Sequence, residues 1–121
     1  MKKVYVASPV RPLLEAFKNV GIHENEAMHV VRGVARNGCF EVKNMGFVPV
    51  SPILAFDGIY SEYEERESID DACEALLLGC YFIYVVQTDY NKYSKGIARE
   101  LEIAQRHGIS ILHVKEENHA S

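Results

Sequence analysis

Four short apolar runs recur along this chain: Val4 to Ala7, Gly46 to Val50, Tyr81 to Val86 and Ile109 to Val114. Each is bounded by turn residues and reads as a strand. Between them lie stretches whose apolar residues repeat at helical spacing. Strands alternating with helices imply a parallel sheet with right-handed crossovers and helices on both faces. The fold class is therefore α/β. The expected architecture is a three-layer, flavodoxin-like (Rossmann-like) parallel sheet of four to five strands, built as a single domain over residues 1–121. In such sheets a ligand sits outside the carboxyl ends of the strands, near the switch point. Those ends carry Ser8-Pro9, Ser51-Pro52 and the stretch Gln87 to Ser94, which should converge on one crevice.

The helical stretches carry their own punctuation. Pro12 suits the first turn of a short helix, Leu13 to Asn19, which Gly21 stops. A longer pattern runs from about Asn25 to Asn44, and Gly33 and Gly38 weaken it, so a break near Asn37-Gly38 is expected as an option. Pro49 cannot donate to a ladder, which places the second strand at a sheet edge. Ala55 to Glu65 reads as a polar loop bearing tyrosines. Ser68 is the expected cap of a third helix, Ile69 to Leu78. The Tyr81–Val86 strand is apolar throughout, as expected of a strand buried on both faces. Gly108 ends the last helix, and Lys115 to Ser121 is a polar tail.

Composition removes several function classes. The formal net charge is −4, which disfavours a broad basic face and hence a nucleic-acid polymer as partner. No apolar run approaches the roughly 18 residues of a membrane span, so no membrane is expected. The N-terminus reads as a first strand rather than a signal peptide. Cys39, Cys73 and Cys80 are odd in number and lack CxxC spacing. They read as small apolar residues in a reducing compartment, which implies a cytoplasmic protein. The five histidines have no metal-ligand spacing, so no metal is expected. GxGxxG and GxxxxGK[ST] are missing from the sequence, which disfavours a dinucleotide or P-loop site.

The segment from Tyr93 to Ala104 is the most suggestive for chemistry. It runs from a loop into an amphipathic helix, with Ser94 as an expected N-cap. With Ile97 at zero on a helical wheel, Leu101 and Ala104 fall within about 40° of it and form a core stripe. Glu100 falls at about −60°, on the edge of that stripe, whereas Arg99, Glu102 and Arg106 point toward solvent. A carboxylate beside a core stripe costs free energy unless it has partners or a task.

Taken in order, these elements resemble the nucleoside 2-deoxyribosyltransferase superfamily, which includes the deoxynucleotide N-hydrolases. The residues concerned are Val4-Tyr5-Val6-Ala7-Ser8-Pro9, Pro49-Val50-Ser51-Pro52, Ser94-x-Gly96-x-x-x-Glu100-x-x-x-Ala104 and Gly108-Ile109. The likeness is strongest to small, mostly uncharacterised members from bacteria and phages, and Arg11 to Gly21 looks like an insertion. The resemblance implies cleavage or transfer at the N-glycosidic bond of a 2-deoxynucleoside or nucleotide. Glu100 would be the nucleophile that forms a glycosyl-enzyme ester, resolved by water or by a second base. Ser94 would lie at the sugar 5′ end, beside a helix N-terminus able to receive a phosphate. An aspartate before the apolar strand would handle the base. Asp70 and Asp71 are both available, and counting back from Cys80 favours Asp71 although its wheel position suggests solvent. The family implies no cofactor, a small-molecule nucleoside or nucleotide as partner, and a homo-oligomer.

The remaining substrate-binding candidates are Gly96, Tyr5, Ser8, Pro9, Pro52 and Asp57. Tyr5 lies in a central strand, where its hydroxyl needs a partner. Asp57, Tyr60 and Tyr63 lie in the loop after the second strand, and such loops often cover ligands. Arg11 reads as a solvated loop residue within reach of a phosphate. A non-catalytic nucleotide-binding module of the same fold is the alternative reading.

Overall fold

The computed structural model describes residues 1–113. The expected strand end at Val114 and the polar tail lie outside the described residues. Four strands form the sheet: β1 (Lys3–Ala7), β2 (Val48–Val50), β3 (Phe82–Val85) and β4 (Ser110–Ile111). They lie in the order β2-β1-β3-β4, and every neighbouring pair is parallel. Helices α1 (Arg11–Asn19), α2 (Glu24–Asn44), α3 (Pro52–Ala55), α4 (Arg66–Leu78) and α5 (Lys95–Arg106) connect or flank them. The α/β, flavodoxin-like architecture is thus present, with four strands among the described residues.

Strand alternation divides the core into two layers. Tyr5, Ala7 and Ile83 point to one face, where they pack with Leu77 of α4 and with Ile97, Ile103 and Ala104 of α5. Val4, Val6, Tyr84 and Val86 point to the other, against Val42 of α2. Both faces are covered, so β1 from Val4 onward and β3 carry no charged residue. Outside α2 sits α1, with Leu13 and Leu14 against Ala27 and Val31. Among the described residues no helix is long and apolar enough to cross a membrane.

Several boundaries differ from the sequence expectations. Helix α2 runs unbroken for 21 residues. Gly38 does not interrupt it but lets it approach the sheet: a Cβ there would lie 2.3 Å from Val86 Cγ2 and 2.8 Å from Val6 Cγ1. Helix α4 begins at Arg66, with Glu65 as an N-cap whose side chain makes no capping hydrogen bond, so Ser68 lies inside the helix rather than capping it. Residues just after Ser51 form the short α3, whose Leu54 N–H donates to Ser51 Oγ at 3.2 Å. Tyr81 lies outside β3 and is 62% exposed. β2 lies at the sheet edge, as Pro49 requires.

Candidate functional site

Helix α5 is set in place by its N-cap and its buried face. Ser94 Oγ accepts the Ile97 N–H at 3.1 Å and caps the helix. The buried positions are Ile97, Glu100, Ile103 and Ala104. Ile103 falls at about −120° on the wheel, so the buried arc is wider than the Ile97 stripe, and Glu100 sits near its middle rather than on its edge. Arg99 does not point into solvent: its Nη1 donates to the Asp70 carbonyl at 3.0 Å and its Nη2 to Glu74 Oε1 at 3.5 Å. These contacts tie α5 to α4.

Beneath Glu100 lies Tyr5, on the central strand β1 and fully buried. Its hydroxyl donates to Glu100 Oε2. Burial pushes the Glu100 carboxyl up to about 7; the Tyr5 hydrogen bond and the nearby guanidinium groups of Arg66 and Arg99 pull it down, and Asp70 pushes it up. Burial, together with the Glu100 charge, drives the Tyr5 hydroxyl far above its ordinary value. Tyr5 therefore remains a donor at every physiological pH. Cys73 on α4 adjoins the pair; burial, with help from Glu100, raises its thiol to about 11, so it stays protonated and unreactive near neutrality.

Above Glu100 opens a crevice of about 610 Å³, a size that accepts a small ligand. One wall is the start of α5, with Ser94 and Gly96. A second is α4, with Arg66, Asp70 and Cys73. The rest comes from α1 and from the segment Pro52 to Glu62. Four side chains form an ionic chain across this opening. Arg11 Nη2 donates to the Glu62 carbonyl at 3.1 Å, and its Nε lies 3.4 Å from Glu62 Oε1. Arg66 Nη1 donates to the same carboxylate oxygen at 2.6 Å, and its Nη2 lies 3.3 Å from Asp70 Oδ1. The Arg11 guanidinium also stacks over the Tyr63 ring, 4.9 Å from its centroid.

Of the residues singled out from the sequence, Glu100, Asp70, Ser94, Gly96, Pro52 and Asp57 line the crevice together. Asp71 does not: it is exposed, on a side of α4 away from the lining, because only every third or fourth residue of a helix shares a face. Tyr5 cannot touch a ligand, since Glu100 covers it. Ser8 and Pro9 are buried below the lining, which on that side begins at Val10. Ser8 Oγ has no hydrogen-bond partner. From the stretch Gln87 to Ser94, only Tyr93 and Ser94 reach the crevice. Arg11 is not a solvated loop residue but the first residue of α1, held by Glu62. Arg66 and Glu62 are site residues that the sequence reading misses, and Cys73, read only as a small apolar residue, adjoins the site as well. The one sequence signal for the charged pair is the four-residue spacing Glu62-Arg66-Asp70, at which opposite charges can meet.

Among the described residues no group of three or more His, Cys, Asp or Glu is placed to hold a metal ion. Comparison with family models, with curated proteins and with solved structures finds no match for this chain. The chemistry of the crevice must therefore be argued from its own geometry.

Proposed function

We propose that this protein cleaves or transfers at the N-glycosidic bond of a 2-deoxynucleoside or nucleotide, with Glu100 as nucleophile and no cofactor. One observation carries the reading: a buried carboxylate forms part of a nucleoside-sized crevice and is held from below by a tyrosine on the central strand. Tyr5 occupies Oε2, which leaves Oε1 for bond formation. Oε1 attacks the anomeric carbon, the bond to the base nitrogen breaks, and its electron pair leaves with the base, which takes up a proton. Water or a second base then attacks the same carbon and releases the carboxylate. An acid raised to about 7 is about half ionised at neutral pH, enough for attack, and it becomes a better nucleophile as it gains basicity.

Ser94 and Gly96 mark the end of the crevice nearest the α5 N-terminus, where the sugar 5′ end would lie. Of the two candidate aspartates only Asp70 lines the crevice, and its pairing with Arg66 sets it toward the 5′ end rather than beside the base. The three free cysteines fit a reducing compartment, and a cytoplasmic homo-oligomer is part of the same proposal. A second reading, a non-catalytic nucleotide-binding module, draws support from Asp70 itself. Its carboxylate is engaged by Arg66 at 3.3 Å and is not free to exchange a proton with a base.

Incubating the purified protein with 2′-deoxynucleosides and their 5′-monophosphates, with and without a second base, separates these readings. Free base alone identifies a hydrolase, and a new nucleoside identifies a transferase. Loss of turnover in Glu100→Ala supports the nucleophile assignment, and retention of full activity overturns it. A ligand-induced melting shift without turnover supports the binding module.

A further inference from the structure

Arg66 of α4 reaches the α5 N-terminus. A Cβ built on Gly96 would lie 3.3 Å from Arg66 Nη2, so the guanidinium lies over the first turn of α5. This is the end of the crevice assigned above to the sugar 5′ group. A free arginine there would pair with a phosphate dianion, since the planar guanidinium matches two of its oxygens. This arginine is not free. Glu62 Oε1 lies 2.6 Å from its Nη1 and Asp70 Oδ1 lies 3.3 Å from its Nη2. Glu62 also engages Arg11 through both its side chain and its carbonyl. Both arginines at this end are thus already paired with carboxylates of the chain.

Charge around the opening points the same way. Arg11, Arg66, Lys95 and Arg99 line it, and so do Glu15, Asp57, Glu62, Asp70 and Glu100. Arg99 is held by Glu74 as well. Lys95 makes no ion pair among the described residues, yet it is exposed to solvent, where a single pair is worth little. A phosphate entering beside Arg66 would meet two carboxylates already bound to it. It would have to displace Glu62 or stand next to it, and like charges at such range oppose binding.

We propose that Glu62 is a specificity-determining residue: by occupying Arg11 and Arg66 it turns the crevice toward nucleosides with an uncharged 5′ hydroxyl and against their 5′-monophosphates. This rests on the nucleoside reading above. It also explains why the arginines are kept at this end at all. They hold the segment that carries Glu62 against α1 and α4, closing the crevice wall, and they do so without offering a net positive charge to the ligand.

The experiment measures binding by calorimetry and turnover by base release, for the common 2′-deoxynucleosides and their 5′-monophosphates, on the wild type and on Glu62→Gln. The wild type should favour nucleosides over monophosphates by at least about tenfold. Glu62→Gln keeps the shape and a carbonyl acceptor but removes the charge. It should raise the monophosphate-to-nucleoside ratio by about ten- to a hundredfold, the worth of a charged hydrogen bond regained by Arg66. A wild type that prefers monophosphates, or a ratio unmoved by Glu62→Gln, overturns the assignment. If monophosphates are preferred and their base is released, the specificity inference fails while the glycosidic-bond reading stands. If no compound of either class binds or turns over, both fail. The wild-type preference needs no variant, so a destabilised Glu62→Gln protein leaves the test in force.

Discussion

Replacing Glu100 by glutamine should stabilise the protein, and the gain should grow with pH. The carboxyl is raised from 4.5 to about 7 in the folded chain, mainly by burial. An acid raised on folding binds its proton more tightly in the native state than in the unfolded one. Its contribution is therefore fully present below about 4.5, is lost progressively as pH rises toward 7, and stays lost above that. At about 1.4 kcal/mol for each pH unit, the ionised Glu100 costs about 3 kcal/mol at pH 8 relative to its protonated form. About 2–3 kcal/mol of that develops between pH 5 and pH 8. Glutamine cannot ionise, and its carbonyl still accepts the Tyr5 hydroxyl. Its NH₂ group needs an acceptor and carries a cost, but that cost does not change with pH. Urea unfolding of both proteins at pH 5, 6, 7 and 8, followed by far-UV circular dichroism, isolates the effect, since titrations not coupled to Glu100 cancel in the difference. The stability gap between Glu100→Gln and the wild type should widen by about 2–3 kcal/mol from pH 5 to pH 8. A gap constant to within about 0.5 kcal/mol would show that burial does not hold the Glu100 proton, and the account of the site's electrostatics would fall with it.

Other expectations follow from the same contacts. On the proposed glycosidic-bond reading, turnover by the wild type should fall about tenfold for each pH unit below 7, as Glu100 is protonated, and level off above about 8; a rate independent of pH between 5 and 8 would exclude Glu100 as the ionising nucleophile. Tyr5→Phe removes the hydrogen bond that lowers the Glu100 pKa. Its pH–rate profile should move to higher pH, with about a tenfold loss at pH 7, and an unmoved inflection would disconnect the two residues. Gly38→Ala should destabilise the fold by about 1–3 kcal/mol through overpacking, despite a helix-propensity gain of about 1 kcal/mol; a neutral or stabilising result in urea unfolding would mean that Val6 and Val86 can yield.

The fold was legible because its strongest signals are local. Apolar runs alternate with helical spacing, and Pro49 marks a strand with one free edge. What was not legible depends on contacts between distant segments. Gly38 reads as a helix breaker in isolation, and only the approach of Val6 and Val86 shows why the helix needs it. Ser68 has the chemistry of a cap, but the chain entered the helix three residues earlier without one. Glu100 could be picked out on a wheel, yet its central position emerges only once Ile103 is seen to be buried. Tyr5, 95 residues away in sequence, meets Glu100 because β1 is an interior strand of the sheet. The choice between Asp70 and Asp71 turns on about 100° of helix rotation, which residue counting does not resolve. The Arg11–Glu62–Arg66 chain was the least visible part, since it requires a loop to fold back onto two helices.

The borders of the sheet have a consequence for behaviour at high concentration. A strand with an unpaired side is a template onto which another polypeptide can add, and long, flat, apolar borders invite fibrous association. Here one border is the three-residue β2, interrupted by Pro49, and the other, among the described residues, is the two-residue β4. Neither offers a foreign strand more than a few backbone groups, and proline removes a donor from the first. The longer and more apolar β1 and β3, with the greater capacity for such recruitment, are enclosed between them. The same arrangement that keeps Tyr5 dry beneath Glu100 thus also withholds the chain's most adhesive segments from its neighbours in solution.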